Sequence, residues 1–529
     1  MINKQEELMT IQEASEWASN YLDREVTASN ISYLIQYGRI KKIEKNGRIQ
    51  ISKKDLKNYY ESYLGKREIK WKKQLGDDLN WELSFDNLKE ADTTKHVHRL
   101  HPYKGKFIPQ LVEYFLDDHT DAYKDEVYFN KGDIVLDPFC GSGTTLVQAN
   151  ELGIHAIGID ISEFNTFISN AKITRYNLED IEYETNRILK MLNEMDESSN
   201  IVKFENELSD VLSKFNNRYF PSPEYKRKVR NKEIDGKKYG KEKEKEFLPI
   251  YYNLVNKYGI KLKQDNDETF LDKWYISNVR KEIDMTFDLI KDIKNINTKK
   301  IVALILSRTM RSCRATTHSD LATLKAPVLT TYYCHKHGKI CKPLFTISNW
   351  FSRYSNDTIK RLREFDKLRT DSYQICLSGD SRNMDIFEVI KEKNKLFYEL
   401  LRENKINGIF TSPPYVGLIN YHEQHAYAYD LFGFNRRDDL EIGPLFRGRG
   451  KEARKLYVQG ISDVLINCKR FLVDDFNIFI VANDKYNLYP EIAKKSGLKI
   501  VNEFKRPVLN RTEKDKKAYS EIIFHMKRR

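Results

Sequence analysis

Residues Asp133 to Asp160 read DIVLDPFCGSGTTLVQANELGIHAIGID, and no other stretch limits the fold so strongly. DIVLD is a short apolar strand, PFCGSGTT a tight glycine turn, LVQANELG a helix ended by Gly153, and HAIGID a second strand. Two strands joined by a helix must lie parallel in one sheet, because such a crossover packs back onto the sheet in only one hand. The glycines let the backbone approach a ligand closely, and an acid ending the second strand, Asp160, is placed to accept both hydroxyls of a ribose. No Gly-Lys-Ser/Thr follows the turn, which disfavours a triphosphate loop, and the absence of a full G-x-G-x-x-G disfavours a nicotinamide dinucleotide.

A second constraint lies at FTSPPYVGLINYHEQH, from Phe410 to His425, where the apolar strand INGIF meets Pro413 and Pro414. Proline cannot donate to a sheet ladder, so the strand ends there. Standing alone, the pair reads as a turn that closes a strand; beside the glycine turn of the same chain, a rigid strand end would also suit one chemical problem. The amino nitrogen of a nucleic-acid base shares its lone pair with the ring, and preorganised acceptors aimed at its hydrogens favour the tetrahedral geometry that attack requires. Ser412 offers a hydroxyl, Pro413 a carbonyl fixed by the next ring, Pro414 rigidity, and Tyr415 a face for a base flipped from the duplex.

DPFCGSGTT resembles the S-adenosylmethionine motif of the amino-methyltransferases, which methylate exocyclic amines of DNA bases. That resemblance implies that Asp137, Pro138, Phe139, Gly141, Ser142, Gly143 and Thr144 line the methionine side of the cofactor, with Asp160 on the ribose. TSPPY resembles the catalytic motif of the same enzymes, where Ser-Pro-Pro-Tyr/Phe is typical of cytosine-N4 methylation and Asp/Asn-Pro-Pro-Tyr/Phe of adenine-N6 methylation. HRLHPYKGKFIPQLVEYFL, from His98, resembles the segment that closes over the methionine end, with Lys106, Phe107 and Pro109 matching. Without the resemblance, Lys106 reads as a surface lysine. The strand end GDSR implies that Asp380 contacts the adenine amino group. Cys140 sits in the cofactor turn, and no cysteine follows a proline, which argues against carbon-5 chemistry through a thiolate.

The N-terminal 65 residues form a separate unit. Thr10 and Glu13 make a capping box, Thr27 opens a second helix that stops at Gly38, Asn46-Gly47 marks a hairpin, and Ser52 with Asp55 starts a third helix. Helix, turn, helix, ribbon, helix resembles the winged helix-turn-helix of excisionase and MerR-type DNA-binding domains. It implies DNA contacts by Ser29, Asn30 and Tyr33 on the second helix and by Lys41, Lys42, Lys45 and Arg48 on the ribbon. A packing module with a solvated basic hairpin is the alternative. The net charge of +13 agrees with a polyanionic partner.

The expected fold is therefore α/β: a Rossmann-like, seven-stranded S-adenosylmethionine-dependent methyltransferase sheet with a large, mostly helical insertion and this small N-terminal domain. Residues 66–92 read as a charged linker, 93–175 and 371–529 as the two parts of the core, and 176–370 as the insertion, the expected site of target recognition. The charge run at 224–246 reads as a solvated loop. Tyr421, His425 and Tyr429 share one helix face, which favours packing over base contact. Cys334, His335, His337 and Cys341 suggest a metal, but C-H-x-H-x3-C fits no zinc spacing, so none is expected. Scattered cysteines and an N-terminus without an apolar stretch point to a reducing cytoplasm, and no apolar run is long enough for a membrane span.

Over residues 95–529 the order cofactor motif, insertion, catalytic motif, with the segments around THSDL and YCHKHGKICKP, resembles prokaryotic site-specific DNA methyltransferases. The resemblance implies methylation of cytosine N4 in double-stranded DNA, with a cognate restriction endonuclease as a possible companion. Adenine-N6 methylation, RNA methylation and a non-catalytic DNA-binding regulator remain alternatives.

Overall fold

The computed structural model describes residues 7–22, 25–36, 40–45, 48–63, 67–86, 88–121, 123–318, 324–509 and 517–529. Its centre is a seven-stranded sheet whose strands are β1 (Ile134–Asp137), β2 (His155–Asp160), β3 (Gln374–Ser378), β4 (Ile406–Thr411), β5 (Leu472–Ala482), β6 (Leu498–Pro507) and β7 (Ser520–Arg528). They lie in the order β6-β7-β5-β4-β1-β2-β3. Strands β1 to β5 are mutually parallel, while β7 runs antiparallel to both β5 and β6. The chain winds outward from β1 through β2 to β3, then returns to place β4 on the other side of β1. That reversal opens a crevice at the carboxyl ends of β1 and β4, the position where open α/β sheets bind ligands.

Successive residues of a strand face opposite sides, and both sides here are covered. Ile134 and Leu136 of β1 join Ile157 and Ile159 of β2 in a core with the helix Lys451–Lys469, while Val135, Ala156 and Phe410 face the opposite core. The second core continues into the insertion between β2 and β3, whose long helices are Leu178–Glu197, Ile201–Tyr219, Gly236–Tyr258, Ser277–Lys291, Ile296–Cys313 and Ser348–Asp366.

Two sequence expectations need correction. The charge run at 224–246 is no loop, since it supplies Glu224–Arg230 and the first half of Gly236–Tyr258. Lys and Glu are good helix formers, and the pairs Lys241–Glu244 at 3.1 Å and Lys243–Glu246 at 2.5 Å follow helical spacing. Residues 66–92 are not a loose linker either. They contain the helix Arg67–Leu75, pack Trp71 and Leu79 with Leu509, and bind β6 through Asn80 N–H to the Lys505 carbonyl at 2.7 Å. Their tryptophans and leucines are spread thinly among charges, which masked this small core.

The N-terminal unit has its own core, including Met9, Ala18, Ile31 and Ile51. The helices Ile11–Leu22 and Ala28–Gln36 precede the strands Ile43–Lys45 and Arg48–Ser52 and the helix Lys53–Tyr63. An additional strand, Leu8–Thr10, pairs with Arg48–Ser52. The Thr10 capping box is present, with Thr10 N–H donating to Glu13 at 2.8 Å and Glu13 N–H donating to Thr10 Oγ1 at 3.2 Å. The stop at Gly38 and the Asn46-Gly47 turn lie outside the described residues, as do Ser319, Asp320 and Leu321 of the THSDL segment. Among the described residues, no helix is long and apolar enough to cross a membrane.

Candidate active site

A cleft of about 900 Å³, open at its mouth, occupies the crevice beyond β1 and β4. Of the residues expected at the cofactor, Lys106, Phe107, Asp137, Pro138, Phe139, Gly141, Ser142, Thr144, Asp160 and Asp380 line it, and Ser412 and Pro414 join them from the end of β4. Pro109, Gly143, Pro413 and Tyr415 are not part of its lining. Pro109 starts the helix Pro109–Leu116, where its missing N–H costs nothing, and Gly143 turns the chain into the helix Thr144–Glu151 with φ of 75°.

Gly141 shows why the turn needs glycine. Its φ is +52°, and a Cβ there would stand 3.0 Å from the Tyr103 hydroxyl. Its N–H donates to Asp160 Oδ2 at 2.8 Å, while Asp160 Oδ1 accepts from Ser162 N–H at 2.9 Å and Asn165 Nδ2 at 3.0 Å. Burial pushes the Asp160 carboxyl up to about 6 against these donors. Each carboxylate oxygen carries more than one acceptor site, so further hydroxyls can still be bound.

Asp137 is spent differently. It is 1% exposed, accepts from Thr145 Oγ1 at 2.7 Å and from Thr411 Oγ1 at 2.6 Å, and is likewise pushed to about 6 by burial. It ties the glycine turn to the last residue of β4. Lys106, a surface lysine by its pattern, instead runs inward and donates to the His98 carbonyl at 2.7 Å, and burial lowers it to about 8. Asp380 reaches the cleft edge held by Arg382 Nε, at 2.9 Å from both of its oxygens.

At the end of β4, Thr411 pairs with Ile480 of β5. The next residue is aligned by its side chain, for Ser412 Oγ donates to the Val481 carbonyl at 2.9 Å. A hydroxyl thus replaces the ladder bond that the prolines cannot make. Further on, Gly417 with φ of +61° lets the loop close on Gly448, whose carbonyl would lie 2.5 Å from a Cβ. Tyr415 leaves the cofactor cleft and lines a neighbouring one of about 570 Å³ with Tyr457, Asn483, Asp484 and Tyr486, its hydroxyl donating to Glu521 at 2.8 Å.

The expected helix face at Tyr421, His425 and Tyr429 is interrupted, since helices Tyr421–Gln424 and Ala426–Phe432 meet at His425. His425 and Tyr429 are buried, with the Tyr429 and Ser162 hydroxyls 2.5 Å apart, whereas Tyr421 lines the cleft. Sequence reasoning missed Tyr103, Asn165 and the buried pair His422–Glu441. Tyr103 stacks on Tyr421 and His425. Its place inside HRLHPYKGKF was the available signal, but Glu441 sits in a polar loop with none.

In the N-terminal unit Ser29, Asn30 and Lys41 are exposed. Asn30 is already engaged, since its Oδ1 accepts from Thr27 N–H at 2.9 Å and caps its own helix. Lys42 is half-buried, and the side chains of Tyr33, Lys45 and Arg48 lie outside the described residues.

A glycine turn and a strand-end carboxylate at a topological switch point, with a rigid Ser-Pro-Pro strand end across the same cleft, define a methyltransferase of the S-adenosylmethionine-dependent class. Comparison with known proteins agrees. The DNA methylase family of N6/N4 type matches residues 9–170. The type II methyltransferase M.MjaII of Methanocaldococcus jannaschii is 49% identical, over 99% of this chain and 98% of its own. Shorter matches join the type II methyltransferases M.BsoBI of Geobacillus stearothermophilus (37% identical; 18% of this chain, 17% of that one) and M.MvaI of Kocuria varians (36%; 18% and 20%). The chain belongs to the type II DNA methyltransferases of the N6/N4 amino-methyltransferase family, whose cofactor is S-adenosylmethionine.

Proposed function

We propose that the chain methylates the exocyclic N4 of cytosine in double-stranded DNA, within a restriction-modification or related defence system that also holds a cognate endonuclease. The observation that carries this reading is the meeting of Ser412 and Pro414 with Gly141, Ser142 and Asp160 around one cleft. Bound S-adenosylmethionine supplies an electrophilic methyl group and departs as S-adenosylhomocysteine. Asp160, which already accepts from Gly141 N–H, would hold its ribose, and the glycine turn, where no Cβ stands, would admit its methionine end at close range. Asp380, held by Arg382, would contact the adenine amino group.

The target nitrogen is prepared by the strand end. Because Ser412 Oγ gives its own hydrogen to Val481, its lone pairs remain to accept from the amino group. The Pro413 carbonyl is the second acceptor. Together they draw the nitrogen lone pair out of conjugation before attack, without a metal or a covalent intermediate. Tyr415 stacks on the flipped base in the neighbouring cleft. Ser29, Asn30, Tyr33, Lys41, Lys42 and Arg48 of the N-terminal unit contribute duplex contacts beyond the target base. Ser412 in place of Asp or Asn is the reason to prefer cytosine over adenine, since the same acceptors suit either amine.

Nucleoside mass spectrometry of unmethylated DNA treated with the purified protein and S-adenosylmethionine tests the reading. N4-methylcytosine is expected. N6-methyladenine alone overturns the choice of base, and retained DNA binding with no methylation of varied DNA favours a non-catalytic regulator.

A further inference from the structure

A second chemical cluster lies in the insertion, away from the cleft. The strands Tyr332–Cys334 and Lys339–Cys341 form an antiparallel hairpin in which Cys334 pairs with Lys339. Its turn is closed by Gly338 N–H donating to the Cys334 carbonyl at 2.7 Å, with Gly338 at φ of +64°. The turn brings His337 and Cys341 together, His337 Nδ1 standing 3.4 Å from Cys341 Sγ. A fourth donor comes from outside the hairpin, for His318 Nδ1 lies 3.7 Å from Cys334 Sγ, with the Tyr332 hydroxyl 2.8 Å from the same nitrogen as the contact that zinc would displace. Donor atoms of His318, Cys334, His337 and Cys341 all lie within 4.8 Å of one another.

The linear pattern Cys334, His335, His337, Cys341 fails as a ligand set because one of its members is wrong. His335 is exposed and packs edge-on against the Tyr333 ring at 4.9 Å. His318 takes its place, sixteen positions before Cys334, where a search for closely spaced ligands does not reach. We infer that His318, Cys334, His337 and Cys341 form a structural zinc site of Cys₂His₂ type that clips the hairpin to the segment following the helix Ile296–Cys313.

Three observations support the assignment. Zinc bonds of about 2.3 Å to sulfur and about 2.0–2.1 Å to nitrogen place tetrahedral ligands roughly 3.3–3.8 Å apart. The two close sulfur–nitrogen distances, 3.4 and 3.7 Å, already match that edge. The four side chains are also shielded from solvent, the two cysteines buried and the two histidines half-buried. Finally, a lone two-stranded hairpin is marginal by itself. This one carries two thiols, at 2% and 9% exposure and unlinked by a disulfide, in a region otherwise closed by side-chain contacts.

Those contacts show what the clip would hold. Asn216 binds both the N–H and the carbonyl of Ile340, at 2.9 and 3.0 Å, and Glu244 accepts from Tyr333 N–H at 2.8 Å. The hairpin is thereby seated on the insertion helices Ile201–Tyr219 and Gly236–Tyr258. On the other side, the segment carrying His318 begins at Arg314, whose guanidinium lies 5.5 Å from the Tyr427 ring in the helix after the Ser-Pro-Pro-Tyr loop. The four ligands join the hairpin to another segment of the same insertion, one that touches the catalytic half of the core. All four donors are filled by the protein, so the site is closed to substrate and its role is structural.

Metal analysis of the untagged, full-length protein, purified from zinc-supplemented cells under reducing conditions, tests the assignment. About one zinc per chain is expected, falling at least about tenfold in Cys334→Ser and Cys341→Ser and unchanged in His335→Ala. Replacement by cobalt in the wild type should give the intense visible absorption of tetrahedral cobalt with a sulfur charge-transfer band, a readout that needs no variant to fold. Wild type with less than about a tenth of a zinc per chain and no cobalt spectrum would overturn the site. So would a Cys334–Cys341 disulfide found by mass spectrometry, or a His318→Ala protein that holds zinc as tightly as wild type.

Discussion

Thr411 donates its hydroxyl to Oδ1 of Asp137 at 2.6 Å, across the junction between the two central strands β4 and β1. One carboxylate therefore couples the glycine turn to the residue immediately before the Ser-Pro-Pro-Tyr motif. Hydrogen bonds to charged groups contribute about 1.5–3 kcal/mol, so Thr411→Val should lower unfolding stability by about that much, read as a shift of denaturant midpoint at constant slope. Cofactor affinity and turnover should fall together, because the bond aligns both halves of the cleft. A variant with wild-type midpoint and kinetics would show that the junction is held by the ladder alone.

Asp160 leads to a prediction with two opposite signs. Burial raises its carboxyl from 3.8 to about 6, so the folded protein takes up a proton more readily than the unfolded chain between about pH 4 and pH 6. That group therefore contributes stability below its unfolded pKa that is lost as pH rises through about 6, at most about 3 kcal/mol. Cofactor binding runs the other way. A ribose hydroxyl donates to the ionised carboxylate, so S-adenosylmethionine affinity should weaken as pH falls below about 6, approaching tenfold per unit. Titration calorimetry and denaturant melts across this range should find both slopes reduced in Asp160→Asn, with Asp137, raised to the same value, still contributing a stability slope of the same sign.

The two motifs around the cleft were legible because each is contiguous: a strand, a turn and the next strand lie within Asp133–Asp160, and the rigid strand end lies within Phe410–Tyr415. The parallel pairing of β1 and β2 followed from the same βαβ unit, whereas the order of the seven strands came only with the fold. What remained hidden depends on partners distant in the chain. Lys106 looks like any loop lysine until the His98 carbonyl receives it, and Asp137 cannot be known as a coupler before Thr411 is placed beside it. His422–Glu441 and His318 with the hairpin cysteines are the same case, where sequence separation hides proximity. The helical charge run was misread for another reason, since its composition suits a solvated loop and an exposed helix equally.

The basic N-terminal unit makes a prediction that can be measured without catalysis. If Lys41 and Lys42 meet phosphates, each Lys→Ala change should weaken duplex binding across sequences and reduce the slope of log K against log salt by about 1. Fluorescence anisotropy over a salt series is the measurement. Unchanged slopes in both variants would assign the unit to packing.

Tyr415 separates stacking from hydrogen bonding. Its hydroxyl donates to Glu521, which also faces the nearly buried Arg506 at 3.3 Å, so one reading has the tyrosine as a structural strut. The other has its ring as the platform for the target base in the cleft it shares with Asn483 and Asp484. Tyr415→Phe keeps the ring and leaves Glu521 its Arg506 partner, so kcat/KM should stay within about threefold of wild type; Tyr415→Ala removes the ring and should cost about 1–3 kcal/mol, roughly 5- to 160-fold. Because Tyr415 does not line the cofactor cleft, the S-adenosylmethionine Kd should change little in either variant. Equal losses in the two variants would instead give the role to the hydroxyl and Glu521. Stopped-flow 2-aminopurine fluorescence at the target position adds the deciding detail, for a flipped base that finds no platform in Tyr415→Ala should return to the duplex faster while cofactor binding is unaltered.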